Sequence, residues 1–378
     1  MRGSRAARWA PWRRQGSRLS VVIPLFNVES TLAACLDSVL AQPVRDLEVV
    51  VVDDGSTDGS TAIAREYADR RPEVTLHVQT NHGVSYARNL GVERCTGDLV
   101  TFVDPDDLVP RDGFGPMLRA LARTGSDVAV GSMVRVDAAG RRTQPPLLKR
   151  NHAQERLAVT IDDVPLLVAD AFACNKVFRV DFWRREGLGF PLGVRYEDQV
   201  LCTAAFLAAS SIDVLTDVVY EWHIRDDLSS ATQVRGHLQN LEDRIVTKHM
   251  TIDLVRAHGN PALWDVLHRE VLPIDMWEHF RAAVSPSTAE PDRYWTTLRT
   301  GLLGIWNDDT LPFEQTAVPP GQRLMGWLVA QDRRADLARL VARIDGPGVP
   351  VEDGRYLHPW LEEPGVPEVL SRVAPPPA

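Results

Sequence analysis

The sequence predicts an α/β fold, a mostly parallel sheet with helices on both faces, followed by a mainly helical C-terminal domain. Two observations carry the first part: short apolar runs rich in Val and Ile alternate with segments of helical periodicity, and the runs are continuous, as when helices cover both faces of a sheet. A third carries the second part: after about residue 233 strand signals fade and helical periodicity takes over.

The first strand is read at residues 19–24, and Leu32, Cys35, Leu36, Val39 and Leu40 then recur at helical spacing. The unit repeats as strand 47–52 with helix 61–70, strand 74–78 with helix 84–95, and strand 99–103 with helix 113–123. Residues 127–136 supply another strand. Residues 137–159 turn polar, with Pro145, Pro146, Arg141, Arg142, Lys149 and Arg150, and are expected to form a mobile surface excursion near the ligand face, a lid or acceptor loop. Order resumes with a helix at 164–171, the segment 172–179, a helix at 199–209 and a strand at 213–222. Helices are then expected at 238–258, 262–284, 294–305 and 322–344. The expected organisation is a basic tail at 1–18, an α/β domain at 19–235, a helical domain at 236–365 and a Pro-rich tail at 366–378. Trp264, Trp277, Trp295, Trp306, Trp327 and Trp360 are read chiefly as core of the helical domain. An acceptor platform or a homo-oligomer interface is the other use for them.

The 378 residues carry a net charge of −9, which argues against a nucleic-acid partner. No apolar run approaches the roughly 20 residues of a transmembrane helix. Cys35, Cys95, Cys174 and Cys202 form no C-x-x-C pair and read as reduced, buried thiols of a cytoplasmic protein. The basic leader with Trp9 and Trp12 lacks the apolar core of a secretory signal; peripheral contact with an anionic membrane is its alternative to simple disorder.

No G-x-G-x-x-G follows the first strand, and no Walker-type G-x-x-x-x-G-K-[ST] is present. The strands instead run into polar, acidic ends: Asn27 and Glu29, then Asp53-Asp54-Gly55-Ser56-Thr57-Asp58, then Asp104-Pro105-Asp106-Asp107. Strand C-termini of an open parallel sheet are where ligands bind. The last cluster would repel itself without a cation, and few hard oxygens on a short loop suit Mg²⁺ or Mn²⁺ completed by a diphosphate. A solvated turn is the plain alternative. Asp53 and Asp54 likewise read either as a strand-ending turn or as carboxylates for a base and a ribose.

The runs Leu19-Ser-Val-Val-Ile-Pro-Leu-Phe-Asn-Val-Glu29, Val-Val-Asp-Asp-Gly-Ser-Thr-Asp58, Asn81-His-Gly-Val-Ser-Tyr-Ala-Arg-Asn-Leu-Gly91 and Gly97-Asp-Leu-Val-Thr-Phe-Val-Asp-Pro-Asp-Asp107 occur in order. Together they resemble the family 2 inverting glycosyltransferases of the GT-A fold. Asn175-Lys-Val-Phe178, Arg195-Tyr-Glu-Asp198 and, more weakly, Tyr220 to Arg225 extend the resemblance, which covers about residues 19–235. It is compatible with the bacterial branch that decorates teichoic acids or capsular polymers. It implies that Pro24, Phe26, Asn27 and Glu29 line the nucleotide end, that Asp54 (or Asp53) meets the base, and that Asn81 and Arg88 lie nearby. Asp104 and Asp106 would be the D-x-D, with Asp106 the preferred metal ligand for Mn²⁺ or Mg²⁺ and His223 an additional metal or diphosphate contact. Arg225 and Ser229 would close over the diphosphate. Asp198 would be the catalytic base, with Glu197 orienting it or touching the donor sugar.

The implied reaction moves a hexose or N-acetylhexosamine, with UDP the favoured carrier, to a hydroxyl of a carbohydrate, polymer or small natural product, with inversion. Pro105 departs from the small polar residue usual inside the motif and removes a backbone donor; Asp226 and Asp227 replace an arginine-rich loop. A sugar-1-phosphate nucleotidyltransferase would show an Arg-containing Gly-rich loop where Leu25 to Glu29 stand. A degenerate binding module would have lost Asp104, Asp106 or Asp198, and all three are present.

Overall fold

The computed structural model describes residues 17–224, 236–346, 348–357 and 359–372. Strands β1 (Leu19–Leu25), β2 (Leu47–Asp53), β3 (Val74–Val78) and β4 (Leu99–Phe102) alternate with helices α1 (Leu32–Leu40), α2 (Ser60–Arg70) and α3 (Val84–Arg94). The helix α4 (Gly115–Thr124) then leads to β5 (Val128–Val136). β1 lies between β2 and β4, parallel to both, with Leu19 opposite Leu47 and Leu99. The β-branched residues Val21, Val22, Ile23 and Val49 to Val52 favour extended backbone, and all are buried. Successive residues serve opposite faces: Val22, Val50 and Val52 join one hydrophobic layer, and Val21, Ile23, Val49 and Val51 the other. At Gly91 of α3 a Cβ would meet Val22 at 2.3 Å, so glycine lets this helix lie close on β1.

The rest of the sheet is mixed. After β6 (Arg142–Thr143), helix α5 (Pro146–Asn151) and β7 (Arg156–Val159) come β8 (Lys176–Arg179), helices α6 (Val180–Arg185) and α7 (Glu197–Ala208), and β9 (Ile212–His223). The nine-stranded order is β3-β2-β1-β4-β8-β5-β9-β7, with β6 on β5. β8 runs antiparallel between β4 and β5, while β5 and β9 are parallel. The segment 172–179, without a definite assignment from its short apolar core Val177-Phe178, is this connecting strand.

Three expectations change. Residues 137–159 are no structureless excursion: α5 buries Leu148 and Asn151, and β7 pairs with β9. The helix expected at 164–171 is a 3₁₀ helix at Pro165–Ala169. The long helices expected at 262–284 and 322–344 are each broken. The first becomes α9 (Pro261–Val266), a π-helical turn at Leu267–Val271 and α10 (Met276–Ala282), since Pro273 has no N–H to continue the helix. The second, after α11 (Pro291–Ile305), becomes α12 (Pro320–Ala330) and α13 (Arg334–Asp345), separated where Asp332 takes a positive φ of 58°. The expected boundary at 235/236 abuts residues outside the description. One hydrophobic layer runs from Val22 and Phe178 through Leu201 and Phe206 into Leu241 of α8 (Leu238–His258), Phe280 and Leu328. Trp295, Trp306, Trp327 and Trp360 are buried within it, and Trp264 and Trp277 pack against it.

A fully buried ionic cluster sits behind β8. Lys176 Nζ donates to Asp170 (2.7 Å), the Phe172 carbonyl (2.6 Å) and Asn175 Oδ1 (2.9 Å), and His152 Nε2 lies 2.8 Å from Asp170. Burial pushes the Asp170 carboxyl up, but Lys176 and His152 outweigh it and hold it at about 2. Removing one partner strands the others in a dry interior, so Lys176→Met is expected to cost about 3–5 kcal/mol in urea denaturation. Because the folded value of Asp170 is depressed, its contribution is present above the ordinary carboxylate value of about 4 and is lost as pH falls toward 2. The wild type should therefore lose more stability than Lys176→Met across that acid window.

Candidate active site

The loop after β4 meets the start of α7, and the charge between them is Arg88. Helix α3 carries its side chain inward, where Nη1 donates to Glu197 (2.5 Å) and Asp198 (3.0 Å) and Nη2 donates to Asp104 (2.8 Å). The Phe190 ring lies 5.0 Å from the guanidinium carbon. Burial disfavours the Arg88 cation, but Asp198, Asp104 and Glu197 outweigh it and hold the group well above its ordinary value. One cation thus draws the carboxylate of the strand-end loop and the pair opening α7 into a single cluster. The motif analysis placed Arg88 near a nucleotide; in the structure its guanidinium serves these carboxylates.

Asp198 also accepts a hydrogen bond from the Ala173 N–H at 3.3 Å, on the loop that Lys176 braces. Burial pushes its carboxyl up and Arg88 opposes; with Glu197 and Asp104 nearby the balance lies at about 7. Its side chain retains 23% exposure, so the acid is crowded yet reachable.

The acidic loop after β4 divides its labour. Asp104 and Asp106 are half-buried, whereas Asp107 is buried and structural. Asp107 accepts from the Tyr220 hydroxyl (2.7 Å) and the His223 N–H (2.8 Å), and the Tyr220 oxygen accepts the Asp104 N–H (3.1 Å). Burial first, then Asp106 and Asp104, push the Asp107 carboxyl well above its usual range. Leu108 and Glu221 add a backbone bridge between the loop and β9. Ala173 escaped the motif analysis, and Tyr220 entered it only as part of a weak match with no role assigned; a tyrosine inside an apolar strand, whose hydroxyl needs a partner when buried, was the available signal for that role. His223 Nε2 is buried without a hydrogen-bond partner, 3.6 Å from the Glu221 carboxylate. Among the described residues no three His, Cys, Asp or Glu side chains form a ready-made metal cage.

At the other end, the loops after β1 and β2 are stitched together. Asn27, at φ 51°, accepts the Thr57 N–H (2.8 Å), and Glu29 accepts the Gly59 N–H (2.9 Å) at the start of α2. Asp53 accepts from the Ser56 N–H (2.9 Å) and the Thr61 hydroxyl (2.5 Å). Asp54 accepts from Gln79 Nε2 (2.7 Å) and from the His82 and Gly83 N–H groups (2.8 Å each) at the start of α3. Gly55, at φ +80°, lets the turn pass the Asn81 backbone nitrogen, which a Cβ would approach to 3.0 Å. Pro24 is buried inside β1, while Phe26 is 46% exposed and Asn81 is exposed. Arg225 and Ser229 lie outside the described residues.

Residues 20–183 match the family model described as Glycosyl transferase family 2. The chain is 29% identical over 253 residues to Glycosyltransferase GlyA of Streptococcus pneumoniae, spanning 65% of this chain and 35% of that protein. It is 27% identical over 262 residues to Poly(ribitol-phosphate) beta-N-acetylglucosaminyltransferase TarS of Staphylococcus aureus, spanning 67% of this chain and 44% of that protein. The chain thus spans less than half the length of these two relatives. The crystal structure of residues 1–349 of S. aureus TarS with UDP-GlcNAc superposes with a TM-score of 0.67 at 21% identity, over 93% of this chain and 98% of that one, a likeness of fold.

Replacing Arg88 with Met would leave three clustered carboxylates without their cation. A loss of about 3–5 kcal/mol in chemical denaturation is expected, and Arg88→Lys should recover only part of it, since an ammonium cannot fork to three partners.

Proposed function

We propose that this chain, whose residues 20–183 are a Glycosyl transferase family 2 domain, transfers a sugar from a UDP-sugar to an acceptor hydroxyl with inversion, Asp198 acting as general base. The observation that carries the reading is the joining of Asp104, Glu197 and Asp198 on Arg88, which puts a carboxyl held at about 7 beside the strand-end acidic loop. In the proposed step the acceptor O–H gives its proton to Asp198 as its oxygen bonds to the anomeric carbon. The bond from that carbon to the diphosphate oxygen breaks on the opposite face, and the electron pair leaves with UDP.

Carboxylate oxygens with an unpartnered imidazole nitrogen suit Mn²⁺ or Mg²⁺. Asp106, Asp104 and His223 are the residues that would hold the ion, and when bound it offsets charge developing on the diphosphate. Phe26, exposed next to Asn27 in the loop after β1, offers a ring face to the base. UDP is preferred because the TarS fold is seen with UDP-GlcNAc, and a hydroxyl-bearing polymer is the acceptor class the relatives' names suggest. No helix among the described residues is long and apolar enough to cross a membrane. Cys35, Cys95, Cys174 and Cys202 are all free and buried, which fits the reducing cytoplasm.

Melting-temperature shifts with UDP, CDP, GDP and dTDP, each with and without Mn²⁺, test the site, since a ligand that binds only the folded state stabilises it. A metal-dependent shift with UDP, lost in Asp106→Ala, is expected; no shift with any nucleotide would sink the reading. For turnover, the base works as the carboxylate, so the rate should rise with pH through about 7 and then level. Asp198→Asn should lose roughly 10²–10⁴-fold in kcat and, with it, that pH dependence.

A further inference from the structure

The residues just before and after the proposed base are held from the C-terminal helices. Arg195 Nη1 donates to Asp243 (2.7 Å), the Tyr196 hydroxyl donates to Asn240 (2.7 Å), and Arg244 Nη1 donates to Gln199 (3.0 Å). The Arg244 guanidinium also lies 4.3 Å from the Tyr196 ring centre. Arg244 is itself paired with Asp275, which accepts from the fully buried Lys248 at 2.9 Å. Arg195, Tyr196 and Gln199 thus face α8, while Glu197 and Asp198 face Arg88.

Tyr196 is the hinge of this arrangement. It stands immediately before α7 at φ 65°, ψ 27°, the left-handed region that glycine and asparagine enter most readily. A large aromatic there is strained unless its side chain gains something, and the contacts with Asn240 and Arg244 are what it gains. The turn at Tyr196 sets the direction in which the first turn of α7 leaves, and so where the two carboxylates point.

We propose that α8 is a positioning element for the general base, and that Tyr196, Asn240 and Arg244 form the latch through which the helical region aims Asp198. The inference rests on the glycosyl-transfer reading for its kinetic consequence, but its structural consequence stands apart from it. Tyr196→Gly separates the alternatives, because glycine satisfies the left-handed backbone and removes the latch; Tyr196→Phe keeps the ring against Arg244 and loses only the hydroxyl.

In amide hydrogen exchange on the full chain, Tyr196→Gly should expose the amides of residues 196–202 at least roughly tenfold faster, with those of β1 and β2 unchanged. Unchanged protection of 196–202 overturns the proposal whether or not any donor is turned over. In release of UDP from UDP-GlcNAc, kcat should fall roughly ten- to hundredfold in Tyr196→Gly. KM and UDP affinity should stay within about twofold, and Tyr196→Phe should retain most of the rate. A wild-type kcat in Tyr196→Gly, or equal losses of kcat and UDP affinity, would also overturn it. If no UDP-sugar is turned over by the wild type, the glycosyl-transfer reading fails and the exchange result alone decides the latch.

Discussion

The guanidinium of Arg88 is the constraint on which the site depends. Asp104 ends one strand, while Glu197 and Asp198 open a helix more than ninety residues later, and nothing in local structure obliges them to meet. Three carboxylates gathered without a cation would repel one another and shed their charges by protonation. The buried arginine makes their meeting favourable and leaves one of them, Asp198, near the edge of ionisation at about 7. Stability and the chemistry of the site therefore rest on the same three hydrogen-bonded contacts.

Much of this was legible in the chain. Continuous apolar runs marked β1, β2 and β4 because central strands covered on both faces leave little room for polar alternation, and Asp53, Asp54, Asp104 and Asp106 marked the edge of the sheet where acidic groups gather. The sequence could not say that Asp107 would turn inward to Tyr220 and the His223 amide, since that depends on β9 arriving beside β4's loop from more than a hundred residues away. Nor could periodicity alone find the breaks at Pro273 and Asp332: on either side the apolar spacing continues, and the interruption lies in a missing donor and a single left-handed residue. The excursion at 137–159 misled for a related reason. Its charges lie on exposed positions, while Leu148, Asn151 and His152 are hidden beneath them.

The helical region is also less separate than its composition implies. Its apolar residues share a hydrophobic layer with β1 and α7, and Arg150 pairs with Glu270 across the same junction. A hydrophobic layer shared in this way, beside the polar contacts between α7 and α8, gives neither part a complete surface of its own, so the two are expected to behave as neighbours in one core instead of beads on a string.

The antiparallel strand β8 gives the sheet a seam. Residues 19–102 form a run of parallel strands, while β5 and β9 pair with each other, and the two blocks are joined through a strand of four residues. On the β4 side the registered pairs are Leu99 with Arg179 and Val100 with Phe178. The early block has all its strands once residue 102 has been made, whereas closure must wait for residue 179 to return and for Lys176 to be sealed in with Asp170. Asp104 follows the early block and Asp198 follows the seam, so the two acids can meet on one arginine only once the chain has passed residue 198. A chain interrupted before that point would hold Arg88 and Asp104 without the two carboxylates of α7.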